Sequence, residues 1–162
     1  MGAVVAAAIT FVYGSLIGWF VHWVLHQRWS GPLYRAHMNH HIFQYPPDDL
    51  VSGVYRTSGT ADSTLIFTPA VTLAFFLYAA VLYALGTDVY VIGGAALETL
   101  ALGILHDSLH TGFHVKKSVW ARWKIFSPLR DLHFVHHKRT NRNFGILFFG
   151  WDRLFRTFRE AE

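Results

Sequence analysis

Three stretches of the chain are almost purely apolar. Ala3–Leu25 contains no Asp, Glu, Lys or Arg. Residues 64–85 are also uncharged, with Pro69 inside the run. Residues 89–105 carry one carboxylate, Glu98, and are interrupted by Gly93-Gly94 and Gly103. About 20 apolar residues in a helix cross a bilayer, so the pattern predicts three crossings. A further apolar run, 143–150, is too short to cross and is expected to be buried or interfacial. The expected fold class is therefore all-α: an integral membrane helical protein with about three to four transmembrane helices. A cleaved signal peptide is a poor reading of the first run, because no positive region precedes it and no small-residue cleavage site follows. Glu98, costly at membrane depth, should face the protein interior or a water-filled cavity. Trp19, Trp23 and Trp29 suit an interfacial aromatic belt.

Between these runs the pattern turns polar. Gly31-Pro32 predicts a turn before a helix that carries His37, His40 and His41. Pro46-Pro47-Asp48-Asp49 should end that helix. Residues 52–63 are rich in Ser, Thr and Gly and read as a loop able to touch substrate or headgroups. Gly86-Thr87-Asp88 reads as a tight turn. From Val115 onward the chain is basic and aromatic, with Lys116, Lys117, Arg122, Lys124 and Arg130 flanking Trp120, Trp123 and Phe126. That composition suits an amphipathic segment on a membrane surface. Trp151 opens a final short helix. No boundary divides the chain, so residues 1–162 are expected to form one domain.

Composition sharpens the picture. Hydrophobic residues make up 52% of the 162 and aromatics 17%, against 15% charged, which favours a membrane protein over an ordinary soluble domain. There is no cysteine, so disulfides, thiolate metal sites and cysteine nucleophiles are excluded. The net charge is +4. Nucleic-acid binding would not call for three long apolar runs, and the charge is read as facing anionic lipid or an acidic partner. Eleven of the 14 Lys and Arg follow His106, and the other three lie between the first two runs. Positive residues favour the cytoplasmic side. Three crossings with the N-terminus outside place every basic residue, and the C-terminus, in the cytoplasm.

The same arrangement gathers the histidines at one membrane face. Ten of the 11 fall into four groups: His22 and His26, His37 with His40 and His41, His106 and His110, and His133 with His136 and His137. Residues three and four apart share a helix face, so each group aims its imidazoles one way. Neutral imidazole is the commonest nitrogen ligand for transition metals. Ten such ligands are too many for one ion and suit two. A catalytic zinc site usually takes three protein ligands and haem one or two, so two oxidisable irons fit the number best. A pair of irons activates O2 for cleavage of aliphatic C–H bonds, and a site beneath the headgroups receives lipid from the bilayer. Phe11, Trp19 and Phe76 are candidates to line its entrance. His114, eight residues after His106, is open between ligand, support for a ligand, and surface residue. Asp107, Asp131, Asp152, Glu98, Asn39 and Asn143 are candidate hydrogen-bond partners for ligand imidazoles.

The four groups, their order and the intervening apolar runs resemble the histidine boxes of the fatty acid hydroxylase/sterol desaturase superfamily. The run Asn143-Phe144-Gly145 … Trp151-Asp152-Arg153-Leu154-Phe155 … Thr157 is similar to that family's C-terminal ending. The resemblance covers nearly the whole chain. It implies a non-haem di-iron membrane enzyme with a cytoplasmic histidine-rich helical cap, using O2 and external electrons. The implied ligands are His22, His26, His37, His40, His41, His106, His110, His133, His136 and His137, with zinc able to replace iron in purified protein. The small size resembles bacterial β-carotene hydroxylases, although the first box has three intervening residues where those enzymes usually have four. The expected activity is lipid hydroxylation. Desaturation, a non-enzymatic membrane metal-binding protein and a zinc-dependent hydrolase are the alternatives. The electron donor is expected to be a separate ferredoxin or reductase.

Overall fold

The computed structural model describes residues 2–57 and 64–161, without the side chains at 64–69 and 71. Residues 58–63 of the expected substrate-contacting loop lie outside the described residues. Three long helices form the body: α1 (Ala3–Leu25), α3 (Thr64–Ala84) and α4 (Val89–Phe113). Three shorter ones, α2 (Pro32–Asn39), α5 (Phe126–Lys138) and α6 (Gly150–Leu154), gather where α1 and α4 end. The fold is all-helical, with one isolated bridge between Ser52 and Val115 among the described residues.

The helices start and stop for local reasons. Pro32 occupies the first turn of α2, where its missing N–H is not needed. Gly31 before it has φ 61°, a conformation that favours glycine. One π-helical turn, His40–Gln44, continues α2, and the chain leaves it at Tyr45 before Pro46. Asp88 caps α4 by accepting the Tyr90 backbone N–H at 2.8 Å. Beyond the apolar run that ends at residue 105, α4 continues to Phe113 and carries His106 and His110 on an unbroken helix. A side-chain carbon at Gly112 would lie 2.8 Å from Ser118 Oγ and 2.9 Å from Trp120 Cδ1. Glycine there lets the 115–122 segment fold back on α4, where Trp120 Nε1 donates to Ser108 Oγ. That segment holds one short 3₁₀ turn, Val119–Arg122.

α1 packs against α3 and α4, and α3 against α4. α1 and α4 are both long and apolar enough to cross a membrane, and α3 is apolar over Thr72–Ala84. Their outer faces present Val4, Leu73, Phe76, Tyr83, Leu97 and Ile104 to the surroundings. So much exposed apolar surface is unfavourable in water and suits lipid. Many buried positions are polar instead, among them every histidine but His26, beside a hydrophobic cluster around Phe113 and Phe126. Glu98 is half-buried on α4. Trp19 departs from its expected interfacial role: it is only 8% exposed and packs inside, while Trp29 is 70% exposed.

Opposite faces of α4 can be told apart by substitution. Ala95 is 3% exposed, whereas Leu97 is 71% exposed. Ala95→Leu should destabilise by about 1–3 kcal/mol through overpacking. Leu97→Phe should be nearly silent. Thermal unfolding in detergent measures both, and equal sensitivity would contradict the packing.

Candidate metal centre

The histidines assemble into two adjacent groups of five. His22, His26, His37, His41 and His136 form the first, and their candidate ligand atoms all lie within 4.8 Å of one another. His40, His110, His114, His133 and His137 form the second, equally tight. The groups touch: the His41 and His137 rings are 4.1 Å apart. Neither group contains a carboxylate.

Helical phase explains the partition. At 3.6 residues per turn, residues i and i+4 differ by about 40°, while i+3 lies about 60° to the other side. His37 and His41 therefore share one group, and His40 falls in the other. The same rule sends His133 and His137 one way and His136 the other. The π-helical turn at His40–Gln44 sits within this junction, a local irregularity frequent at functional sites.

The ring nitrogens are oriented by acceptors outside the groups. Nδ1 of His22 lies 2.7 Å from the Phe144 carbonyl. That of His136 is 2.6 Å from the Arg142 carbonyl, and that of His137 is 2.9 Å from the Tyr45 carbonyl. His114 Nδ1 lies 2.8 Å from the Leu50 carbonyl. A carbonyl only accepts, so each of these Nδ1 atoms carries the proton and leaves Nε2 with a free lone pair. His40 Nδ1 meets Gln44 Oε1 at 3.1 Å in the same sense.

Those lone pairs converge. Nε2 of His22 is 3.2 Å from Nε2 of His37, and Nε2 of His136 is 3.0 Å from that of His26. His26 and His37 approach to 2.8 Å, His37 and His41 to 3.1 Å. In the second group, His114 and His133 approach to 3.1 Å. Two nitrogens each about 2.1 Å from one ion, at right angles, are about 3 Å apart. The Nε2 atoms of His40 and His137 are buried and make no hydrogen bond. Buried lone pairs facing one another at ligand spacing fit a divalent transition metal in each group.

The imidazoles are held neutral, as ligands must be. Burial lowers His26 from 6.5 to about 3, helped by His40. Burial takes His114 to about 3 as well, again with His40 contributing, and His40 to about 4 against the opposing hydrogen bond to Gln44. His37, His41, His133, His136 and His137 are also well below the ordinary value, through burial first and neighbouring imidazoles second.

A buried fastener holds the first group's loop. Asp152 is fully buried and its carboxylate accepts four donors: Trp19 Nε1 at 3.0 Å, the Phe144 N–H at 2.8 Å, the Gly145 N–H at 2.9 Å and Thr157 Oγ1 at 2.7 Å. Phe144 is thereby fixed where its carbonyl orients His22. Gly145 is required, because a side-chain carbon there would lie 2.8 Å from Asp152 Oδ2. Asn143, at φ 52°, donates to the Leu132 and Arg159 carbonyls at 3.0 and 2.8 Å.

Nine of the ten sequence-derived ligands lie in the two groups. His106 does not: it is buried beside them, its Nδ1 3.2 Å from Asp107 Oδ1. His114, whose role the sequence left open, stands in the second group with its ring stacked 4.0 Å from Tyr45. Asp107 is the candidate acid that meets an imidazole directly. Asp131 instead accepts from Ser127 at 3.5 Å, and Asp152 and Asn143 act on the backbone. Tyr45 and Gln44 carried no signal in the sequence.

A family model described as Fatty acid hydroxylase matches residues 7–157. No curated protein and no solved structure matches the chain.

Two measurements check the site. His114→Ala should lower metal content below two ions per chain, whereas His106→Ala should retain two, as read by elemental analysis. Acid should loosen the metal-free protein. His26, His40 and His114 bind protons more readily unfolded, near 6.5, than folded at about 3 to 4. Stability should thus be full above pH 6.5 and decline progressively toward pH 3. Hydrogen exchange across pH would show it, and an acid-insensitive metal-free protein would contradict the burial argument.

Proposed function

The chain belongs to the fatty acid hydroxylase family, and from that premise we propose that it is a membrane di-iron oxygenase that hydroxylates an aliphatic C–H bond of a lipid. The observation that carries this reading is the pair of adjacent five-histidine groups at the ends of lipid-suited helices. In the overall reaction the substrate C–H bond, O2, two electrons and two protons become an alcohol and water.

Residues of the chain divide the work. His22, His26, His37, His41 and His136 would hold one iron, and His40, His110, His114, His133 and His137 the other. Bound iron supplies the redox chemistry that activates O2. The carbonyls of Phe144, Arg142, Tyr45 and Leu50 keep Nδ1 protonated, and so keep Nε2 presented as a ligand. Ten neutral imidazoles would bring no compensating negative charge to the ions they would hold. Burial excludes water, which protects reactive species from side reactions.

The histidine cluster and the C-terminus are assigned to the cytoplasmic side, because the basic residues cluster there. Electrons come from a separate carrier, a ferredoxin or reductase. The exposed Lys138 and Arg139 directly follow His136 and His137, so an acidic carrier docking there would lie close to both groups.

The test supplies iron-loaded protein, a reductase system, extracted membrane lipids and isotopically labelled O2, and reads products by mass spectrometry. Label in a new hydroxyl is the expected outcome. Loss of two hydrogens without label would assign desaturation instead. His136→Ala should abolish either product. No oxidised product from protein holding two reducible irons would overturn the enzymatic reading in favour of a metal-binding role.

A further inference from the structure

Two cavities meet at one residue of α4. An apolar groove of about 180 Å³ lies between α3 and α4, lined by Phe75, Ala96, Thr99, Leu100 and Ile104 together with Gly103. Leu100 and Ile104 are 56% and 63% exposed, so the groove opens on the lipid-suited surface. A narrower slot of about 10 Å³ lies between α1 and α4, and Gly14, Gly18, Trp19, Leu102 and His106 line it, again with Gly103. Gly103 is buried, yet a side-chain carbon added there would meet no atom within 4 Å. The helix is bare at the point where the two spaces meet.

Both walls of the slot run into the metal centre. On α1, Gly14, Gly18, His22 and His26 follow one another at four-residue steps and so share one face. On α4, Gly103, His106 and His110 follow at three and four. The slot is thus aimed between His22 of the first group and His110 of the second. His106 marks its inner end, with its ring 6.5 Å from that of His110.

We infer that a slim hydrocarbon chain enters from the bilayer through the α3–α4 groove, crosses α4 at Gly103, and lies in the slot with its oxidisable carbon beyond His106. This rests on the lipid-oxidising function proposed above. The slot's width selects the class of chain. A side-chain carbon at Gly14 would be 3.0 Å from Leu102 Cδ1, so α1 and α4 are in close contact there. At about 10 Å³ the slot as it stands has room for a water-sized group, so a single alkyl or polyene chain would require Leu102 and Leu147 to turn aside, whereas a fused-ring sterol would have to part the helices. Trp19 alone of the three aromatics expected at the entrance lines the slot. Phe11 instead packs edge-on against Phe148, and Phe76 faces outward at 64% exposure.

The test uses the metal-loaded full chain in phosphatidylcholine nanodiscs and a long-chain fatty acid bearing a mid-chain diazirine. After illumination, peptides containing Leu102 and Ile146-Leu147 should carry the label. Gly103→Leu should cut that labelling by about tenfold or more, since misfit in an apolar pocket costs about 10- to 200-fold. Leucine is a better helix former than glycine, and retention of two metals would show that the fold is intact. Leu147→Phe fills the slot from the opposite wall and should give the same loss. Gly94→Leu, on the same helix where a side chain also meets nothing within 4 Å, should leave labelling unchanged. Undiminished slot labelling in both Gly103→Leu and Leu147→Phe, or wild-type label confined to outward positions such as Leu97, would overturn the path. The two readings fail separately. Slot labelling without any oxidised lipid would uphold the path and count against the oxygenase. Undiminished turnover in Gly103→Leu would refute the path and leave the oxygenase standing.

Discussion

The structure is governed by the cost of burying ten imidazoles against one another. None can be charged there, because no carboxylate stands in either group to balance it. Each neutral ring has one N–H, and a buried N–H needs an acceptor. Convergence of the Nε2 atoms forces that acceptor to lie behind the ring, away from the centre. Four rings find it in main-chain carbonyls, at Phe144, Arg142, Tyr45 and Leu50. A carbonyl inside a helix is already committed to the helix ladder. These four lie on irregular segments, so irregular chain has to be brought into the interior. Burying it creates its own debt of unpaired backbone groups. Asp152 and Asn143 meet that need, by accepting the N–H groups of Phe144 and Gly145 and by bonding the Leu132 and Arg159 carbonyls. The C-terminal segment is therefore part of the metal site although it contributes no ligand.

This inverts the usual distribution of polarity. Apolar side chains cover the outside of α1, α3 and α4, and the most deeply buried side chains include His37, His40, His114, His133, His136, Asn143 and Asp152. In water such an arrangement would lack its main driving force. In a bilayer the exposed faces are solvated by lipid, and close packing and hydrogen bonding hold the helices together.

Much of this was legible in the sequence because helix geometry is periodic. The spacing His37-x2-His40-His41 and its later twin fixed both the convergence and the need for two sites. Helical phase alone sends the i+3 member to the other histidine group, as the structure has it. The apolar runs located α1, α3 and α4. Three things were not legible. His106, His110 and His114 form two overlapping pairs at the same spacing, and only the place where α4 ends selects His110 and His114. Backbone carbonyls have no residue identity, so the acceptors behind the rings left no pattern, whereas carboxylates and asparagines stand out as side-chain partners. Trp19 looked interfacial because tryptophans favour membrane boundaries; its indole N–H found Asp152, 133 residues away, and that partner drew it inside.

One consequence links the site to its choice of reaction. In the proposed path, the chain-binding wall and the ligands occupy the same two helices. Gly14 and Gly18 share a face of α1 with His22 and His26, and Gly103 lies one and two turns before His106 and His110 on α4. Substrate position and metal position are then set by one rigid register, without an intervening loop, and sites built on helices hold geometry more precisely than sites on loops. Hydroxylation and desaturation share the first hydrogen abstraction and diverge through the placement of the carbon that follows. On this architecture that placement depends on how far a chain can advance past Gly103 and His106. The side chain at the inner end of the slot, which stands outside both histidine groups, is therefore the one best placed to set which carbon is oxidised.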